Sequence, residues 1–387
     1  MEYIYLDNVR AARVDERALQ EMMPYFTEKF GVPGGEFGHA YEEEAAEAVE
    51  RARETIARSL GVHPSEIVFT SSPEESNNLG VIGYALANGK GKVVASRIES
   101  SCVLESVKYL SEHGYPSRVL AVDREGFVDT EALKKHASGA TLIAIQRSNG
   151  EIGTVQDTHA ASDIAEDAGS GYHMDMRYSY LQERIDLGRM HVTTATIASN
   201  LVHGPLGIAA LYVREGVRLR PLLRGTYHEG DIRPGVVPTA LAVGFGAAVR
   251  EWMRERDAIV MRMRRYRDSL MKGLLEIEDT ELNGATDDRR IPGNVNVSFK
   301  GAEGEAILLM ANEKGIIART GSACYSRSLK PSYVIRALGK TYEVSHGSVL
   351  FSIGKYNDPS EVPRVVEVMS SVVEKLRELN PFRREVR

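Results

Sequence analysis

The sequence predicts an α/β protein: a large domain with a mostly parallel sheet flanked by helices, joined to a smaller α+β domain. Three observations carry this. Short β-rich runs alternate with helix-patterned segments from about residue 67 to residue 213. A long helical stretch follows at 245–275, and beyond it stand two alternating strands, 294–299 and 348–353. At 387 residues the chain is long enough for two domains. The expected division is 15–255 for the large domain, and 1–14 with 256–387 for the small one.

Taken in order, Tyr3-Ile4-Tyr5-Leu6-Asp7 alternates as a short strand. Residues 38–60 form an amphipathic helix, with Ala45, Ala46, Val49, Ala52, Ile56 and Leu60 at helical spacing. Strands follow at 67–70, 93–96, 142–145, 172–175 and 208–213, with helices between them at 131–136 and 160–168. The strands are apolar runs rather than alternating ones, as in a sheet covered on both faces. A terminal helix over 360–379 packs on the small domain.

Composition narrows the function. Hydrophobic residues make up 43% and charged residues 26%, and the formal net charge of -6 argues against a nucleic-acid binder. The cluster Arg262-Met263-Arg264-Arg265 reads as the solvent face of a helix. No apolar run reaches membrane-spanning length and no start segment has a signal-peptide layout, so the expected compartment is the cytoplasm. Two cysteines, Cys102 and Cys324, make neither a disulfide framework nor a four-thiolate metal site. His173, His203, His228 and His346 are scattered without ligand spacing and read as structural. Cys102 reads as a small buried apolar residue.

Several motifs stand collinear along the chain: Tyr5-Leu6-Asp7-Asn8, Ile67-Val68-Phe69-Thr70-Ser71, Asn149 with Glu151-Ile152-Gly153-Thr154-Val155-Gln156, and Tyr172-His173-x-Asp175. Later come Gly204-Pro205, His228-Glu229, Thr320-Gly321-Ser322-Ala323-Cys324, Pro331-Ser332-Tyr333-Val334 and Arg336-Ala337-Leu338-Gly339. Together they resemble the cysteine desulfurases of the class V aminotransferase, fold-type I pyridoxal phosphate (PLP) superfamily. The resemblance implies a homodimer, a seven-stranded sheet in the large domain, and PLP as the family cofactor.

The positions that would serve that cofactor have changed. The Schiff-base lysine of the family is Leu201 here, and a leucine cannot form an imine. Its neighbouring histidine is Asn200, and a phosphate-binding serine is Ala198. The family's phosphate-cradling turn reads Ser71-Ser72-Pro73-Glu74-Glu75, in which Pro73 lacks an N–H and Glu74 brings a carboxylate. Unit charges about 4 Å apart repel by about 4 kcal/mol at an effective dielectric near 20. The ring-stacking histidine is Ser100, the ring-hydroxyl contacts are Gly150 and Tyr178, a partner-reaching threonine is Val236, and the substrate-carboxylate arginine is Leu350. Only Asp175, the partner of the pyridinium nitrogen, persists. An unpaired buried carboxylate is costly, so Arg147 or Arg177 is expected to pair with Asp175 or Glu74, with Tyr178 and Tyr180 filling space.

Cys324 stands outside these changes, in a small polar loop where the family's persulfide-carrying cysteine lies. The expectation is a desulfurase-like protein that has lost PLP chemistry, with no bound cofactor. It would assist iron–sulfur cluster assembly or sulfur transfer by presenting Cys324 to a U-type scaffold or another acceptor. External sulfide or another sulfurtransferase would supply the sulfur, and Cys324 would carry a persulfide or ligate a cluster shared with the partner. Two alternatives stay open: a desulfurase that uses PLP without a covalent link, and a non-catalytic structural or regulatory partner of a scaffold.

Overall fold

A computed structural model describes residues 3–34, 38–226, 228–321 and 331–379. The short strand β1 (Ile4–Tyr5) lies outside the main sheet. That sheet is built from β2 (Ile67–Thr70), β3 (Lys92–Ser96), β4 (Ser117–Leu120), β5 (Ala140–Ala144), β6 (Gly171–Asp175), β7 (Thr194–Ala198) and β8 (Ala209–Val213). Its order is β2-β8-β7-β6-β5-β3-β4, and only β8 runs against its neighbours. Every residue of β6, β7 and β8 is buried, which is why their sequences do not alternate.

The smaller antiparallel sheet comprises β9 (Thr280–Leu282), β10 (Asn294–Phe299) and β12 (Ser348–Ser352), in the order β12-β10-β9. The remaining strand, β11 (Ile316–Ile317), pairs in parallel with β1 and ties the start of the chain to this region. The 37-residue helix Thr239–Leu275 runs through residue 255 without a break and packs against helix Ala40–Leu60 at one end and β9 and β10 at the other. It is therefore a strut common to both parts of the fold. Met263, inside the basic cluster, is buried on this helix, while Arg264 and Arg265 are exposed.

The strands expected at 67–70, 93–96, 172–175, 294–299 and 348–353 are present within a residue or so of those bounds. Four strands were not expected. β4 is an edge strand whose first two residues, Ser117 and Arg118, are exposed, so it carries no apolar run. β7 reads Thr-Ala-Thr-Ile-Ala, too poor in large apolar residues to stand out although wholly buried. β9 and β11 are only three and two residues long.

The topology brings the turns that follow β2, β3, β5, β6 and β7 to one edge of the sheet, where ligands bind in open α/β folds. Helices Ala40–Leu60 and Thr239–Leu275 pack against each other, and the second also reaches the turn after β7 through Trp252, which stacks on His203. Where they cross, a Cβ on Gly246 would lie 2.7 Å from Ala52 Cα, so the backbones touch directly. We expect Gly246→Leu to lower the free energy of unfolding by about 1–3 kcal/mol or more through overpacking, measured by urea denaturation.

Candidate active site

The site is organised by Asp175, the last residue of β6 and 2% exposed. Its Oδ2 accepts from Asn77 Nδ2 at 2.8 Å, Ser100 Oγ at 2.8 Å and Arg177 Nη2 at 2.9 Å. Arg177 Nε lies 3.1 Å from Oδ1 and 3.0 Å from Oδ2, a side-on clamp made by a residue only two positions away. Burial pushes the Asp175 carboxyl up, but the Arg177 charge and the bonds from Arg177, Asn77 and Ser100 outweigh it and hold it below the ordinary aspartate range.

Arg177 is itself buried, and it reaches further. Its Nη1 donates to Glu74 Oε1 at 3.0 Å and its Nη2 to Cys102 Sγ at 3.3 Å. Of the two arginines that the sequence offers, Arg177 thus takes both carboxylates. Arg147 instead pairs with Glu183 at 3.0 Å and donates to Thr158 Oγ1 at 2.7 Å, away from Asp175. Behind Asp175, His173 joins Asn77 Oδ1 and Thr194 Oγ1, both at 2.9 Å, and burial drives its pKa down to about 4. It is a neutral structural histidine.

The turn after β2 is closed by carboxylates of this chain. Ser72 caps helix Pro73–Asn78, its Oγ accepting Glu75 N–H at 3.2 Å. Glu75 Oε2 accepts both the N–H and the hydroxyl of Ser71 at 2.6 Å, and Glu75 Oε1 pairs with Arg233 Nε at 3.1 Å. Burial raises the Glu75 carboxyl, but the bonds from Ser71 and Arg233 bring it below its usual value. The sequence pointed to Glu74 as the carboxylate in this turn. In the structure the two glutamates take separate roles, Glu75 occupying the turn and Glu74 reaching Arg177.

Tyr178 lies over Gly150, where any Cβ would come within 2.5 Å of its ring. Leu201 sits in the short helical turn Asn200–Val202 after β7. Together with Gly150, Tyr178 and His203 it borders a void of about 30 Å³, far smaller than a cofactor ring. The turn is locked by His203, which adopts φ 61°, stacks on Trp252, bonds to Arg13 O and accepts Lys355 N–H. The nearby Lys355 ammonium is tied to Asp15, so no amine stands in for the leucine. No lysine lines either cavity here among the described residues.

What remains open is a pocket of about 240 Å³ bounded by Glu74, Ser100, Glu151, Arg177, Tyr178 and Arg319, among others. Arg319 was not singled out in the sequence. It bridges to Leu350 through paired backbone bonds and reaches Asp7 at 3.4 Å, so a guanidinium stands one strand away from the position where the family arginine would be. Its signal was only its place two residues ahead of Gly321. Two expectations need correction. Tyr180 does not fill the pocket: it is buried in the main core and bonds Ser59 Oγ at 2.6 Å. Cys102, in the first turn of helix Ser101–Glu112, is half-buried rather than apolar-packed, because Asn77 Nδ2 at 3.2 Å and Arg177 Nη2 at 3.3 Å, which also bond Asp175, face its sulfur. Glu229, beside His228, turns inward and accepts from Arg53 Nη2 at 2.7 Å. Cys324 lies outside the described residues. No group of three or more metal-ligating side chains occurs among the described residues.

Residues 4–365 match the aminotransferase class-V family. The chain belongs to that family, in its cysteine desulfurase branch. It is 40% identical over 383 residues to cysteine desulfurase IscS 1 of Archaeoglobus fulgidus, covering 98% of this chain and 99% of that one. It is 38% identical to cysteine desulfurase IscS of Methylobacillus flagellatus, covering 98% and 94%. A solved NifS-like protein superposes with a TM-score of 0.89 at 29% identity, over 96% of this chain and 100% of that one. PLP is the cofactor of this desulfurase family. Here the Asp175 carboxylate is taken by Arg177, the phosphate turn by Glu75, and the ring space by Tyr178 and Leu201. These residues do not fit the group.

Breaking a buried ion pair by removing one partner costs about 3–5 kcal/mol. Arg177→Met should therefore destabilise the protein by about that amount at pH 7, read from urea unfolding. The sign follows from Asp175. Its folded pKa is depressed, so the pair's contribution in the wild type is complete above the ordinary aspartate range, about pH 4, and is lost as pH falls through the folded value.

Proposed function

We propose that this desulfurase relative no longer performs PLP-dependent desulfuration and instead presents Cys324 as a sulfur-transfer or cluster-assembly thiol. The observation that carries the first half is the Arg177 guanidinium, which bridges Asp175 and Glu74. Asp175 would have to release two to three charge-assisted bonds before it could hold a pyridinium. With no amine at residue 201, neither the covalent nor the ring-nitrogen contact is on offer.

The second half rests on the family kinship and on the sequence around Cys324. Sulfur transfer needs only a thiolate: it attacks the terminal sulfur of a donor persulfide, R–S–SH, giving Cys324–S–SH and releasing the donor as its thiolate. Another sulfurtransferase supplies the donor, and a U-type iron–sulfur scaffold or a comparable acceptor takes the product. We place the protein in the cytoplasm as a homodimer. Leu19, Met23, Phe26, Phe30, Val32 and Tyr41 support the latter, as large apolar side chains exposed close together in the N-terminal part of the chain. No helix is long and apolar enough to cross a membrane among the described residues.

Purified protein mixed with PLP should show no visible absorption beyond that of free PLP and release no sulfide from cysteine. Protein-bound absorption with stoichiometric sulfide release would overturn the reading. Leu201→Lys alone should not restore that absorption, because Arg177, Glu75 and Tyr178 still occupy the site. Cys324→Ala should reduce cluster formation on a co-expressed scaffold to the level of the scaffold alone. Unchanged assembly would leave a structural partner without a working thiol.

A further inference from the structure

The seven-stranded sheet ends at β2, which pairs only with β8. In an antiparallel pair, alternate residues turn their N–H and C=O groups away from the partner strand. On β2 these outward groups meet side chains instead of another strand. Ile67 O accepts from Arg53 Nη1, on helix Ala40–Leu60, and Phe69 N–H donates to Glu229 Oε2 at 2.6 Å. Just past the strand, Ser71 N–H donates to Glu75 Oε2, also at 2.6 Å. Each of these side chains is held by an opposite charge. Arg53 grips Glu229 through two bonds of 2.9 and 2.7 Å, and Arg233 pairs with Glu75 at 3.1 Å. The Arg53 and Glu229 side chains are only 10% and 5% exposed, so salt screens their attraction little.

Glu229 and Arg233 belong to one short segment whose backbone is strained. Glu229, Gly230 and Asp231 adopt φ of 48°, 61° and 62° in succession. Left-handed backbone suits the glycine and disfavours the two residues that carry a Cβ. Packing does not impose this turn, since a Cβ built on Gly230 would meet nothing within 4 Å. The ties lie on either side of it, Glu229 to Arg53 and Arg233 to Glu75. Between those ties, Ile232 rests on the apolar cluster of Val68 and Leu211.

We infer that residues 229–233 form a strained strap, latched by Arg53 and Glu75, that closes the β2 edge and the turn after it as one unit. Opening exchanges the two ion pairs for relief of the backbone, and it uncovers Ile67 O, Phe69 N–H and Ser71 N–H together. An uncovered edge strand is a template for another extended chain. The same turn carries Glu74, which borders the open pocket, so the strap joins the sheet edge to the site. The inference stands apart from any role of Cys324.

The test is hydrogen–deuterium exchange of the full-length protein, resolved to single amides by fragmentation in the mass spectrometer. Glu229→Ala cuts the first latch and should speed exchange at Ser71 as well as at Phe69, by about tenfold or more, as loss of a charge-assisted bond implies. Arg233→Met cuts the second and should speed Phe69 as well as Ser71. Asp231→Gly relieves the backbone and should slow both amides by about threefold. Amides of β7, deep in the sheet, report global unfolding and should stay unchanged in all three. A response only at the amide beside the severed latch, or a rise shared equally by β7, would refute a strap that moves as a unit. Faster or unchanged exchange in Asp231→Gly would refute the strain. Should Glu229→Ala fail to fold, the other two variants decide, because Asp231 is exposed and Arg233 only half-buried.

Discussion

A carboxylate at the carboxyl end of a central strand, sealed from water, has to be matched by charge. Asp175 meets that demand within its own chain, through Arg177 two residues on. Most of the site follows from this. The guanidinium that clamps Asp175 has a free edge, and Glu74 and the Cys102 sulfur come to it. Asn77 then links the same carboxylate to His173 and Thr194, so the centre of the sheet is tied to the helix after β2 by neutral and charged bonds together. Such a network is strong because every member is satisfied; opening one contact strands the others.

The same logic runs through the phosphate turn. A helix start offers N–H groups and a partial positive charge. In this chain Glu75 accepts from Ser71 and is neutralised by Arg233, an internal anion in place of an external one. Tyr178 and Gly150 are likewise a matched pair, the ring occupying space that only a residue without a Cβ concedes. The side chains of this site are complementary to one another: the Glu75 carboxylate answers Ser71 and Arg233, the Arg177 guanidinium answers Asp175, and the Tyr178 ring answers Gly150. Complementary packing of this kind keeps the fold dense, consistent with a main sheet in which every residue of β6, β7 and β8 is buried.

The residual pocket is bordered by both parts of the fold. Glu74, Ser100 and Arg177 come from turns of the large sheet; Arg319, Thr320 and Leu350 come from the small-sheet region. Glu151 joins them, being anchored to β10 by Asn294 and Asn296 and set against Gly321. The shape of this pocket therefore depends on how these two parts meet.

Much of this was legible in the residues alone. The loss of an imine at Leu201 follows from chemistry that no tertiary structure can restore, and the need for a partner to Asp175 follows from the cost of burying a charge. Periodicity and apolar runs were enough for the principal strands, because those strands are buried on both faces. What the sequence left open was which arginine answers Asp175, which glutamate occupies the turn, and where Tyr180 and Cys102 lie. Arg147 and Arg177, or Glu74 and Glu75, differ only in where the backbone aims them, and only the packed chain settles that. Arg319 was hidden for the same reason: it acquires its meaning from neighbours distant in sequence, Asp7 and Leu350. Side-chain type is written in the chain, whereas pairing is decided by the directions that the sheet edges impose.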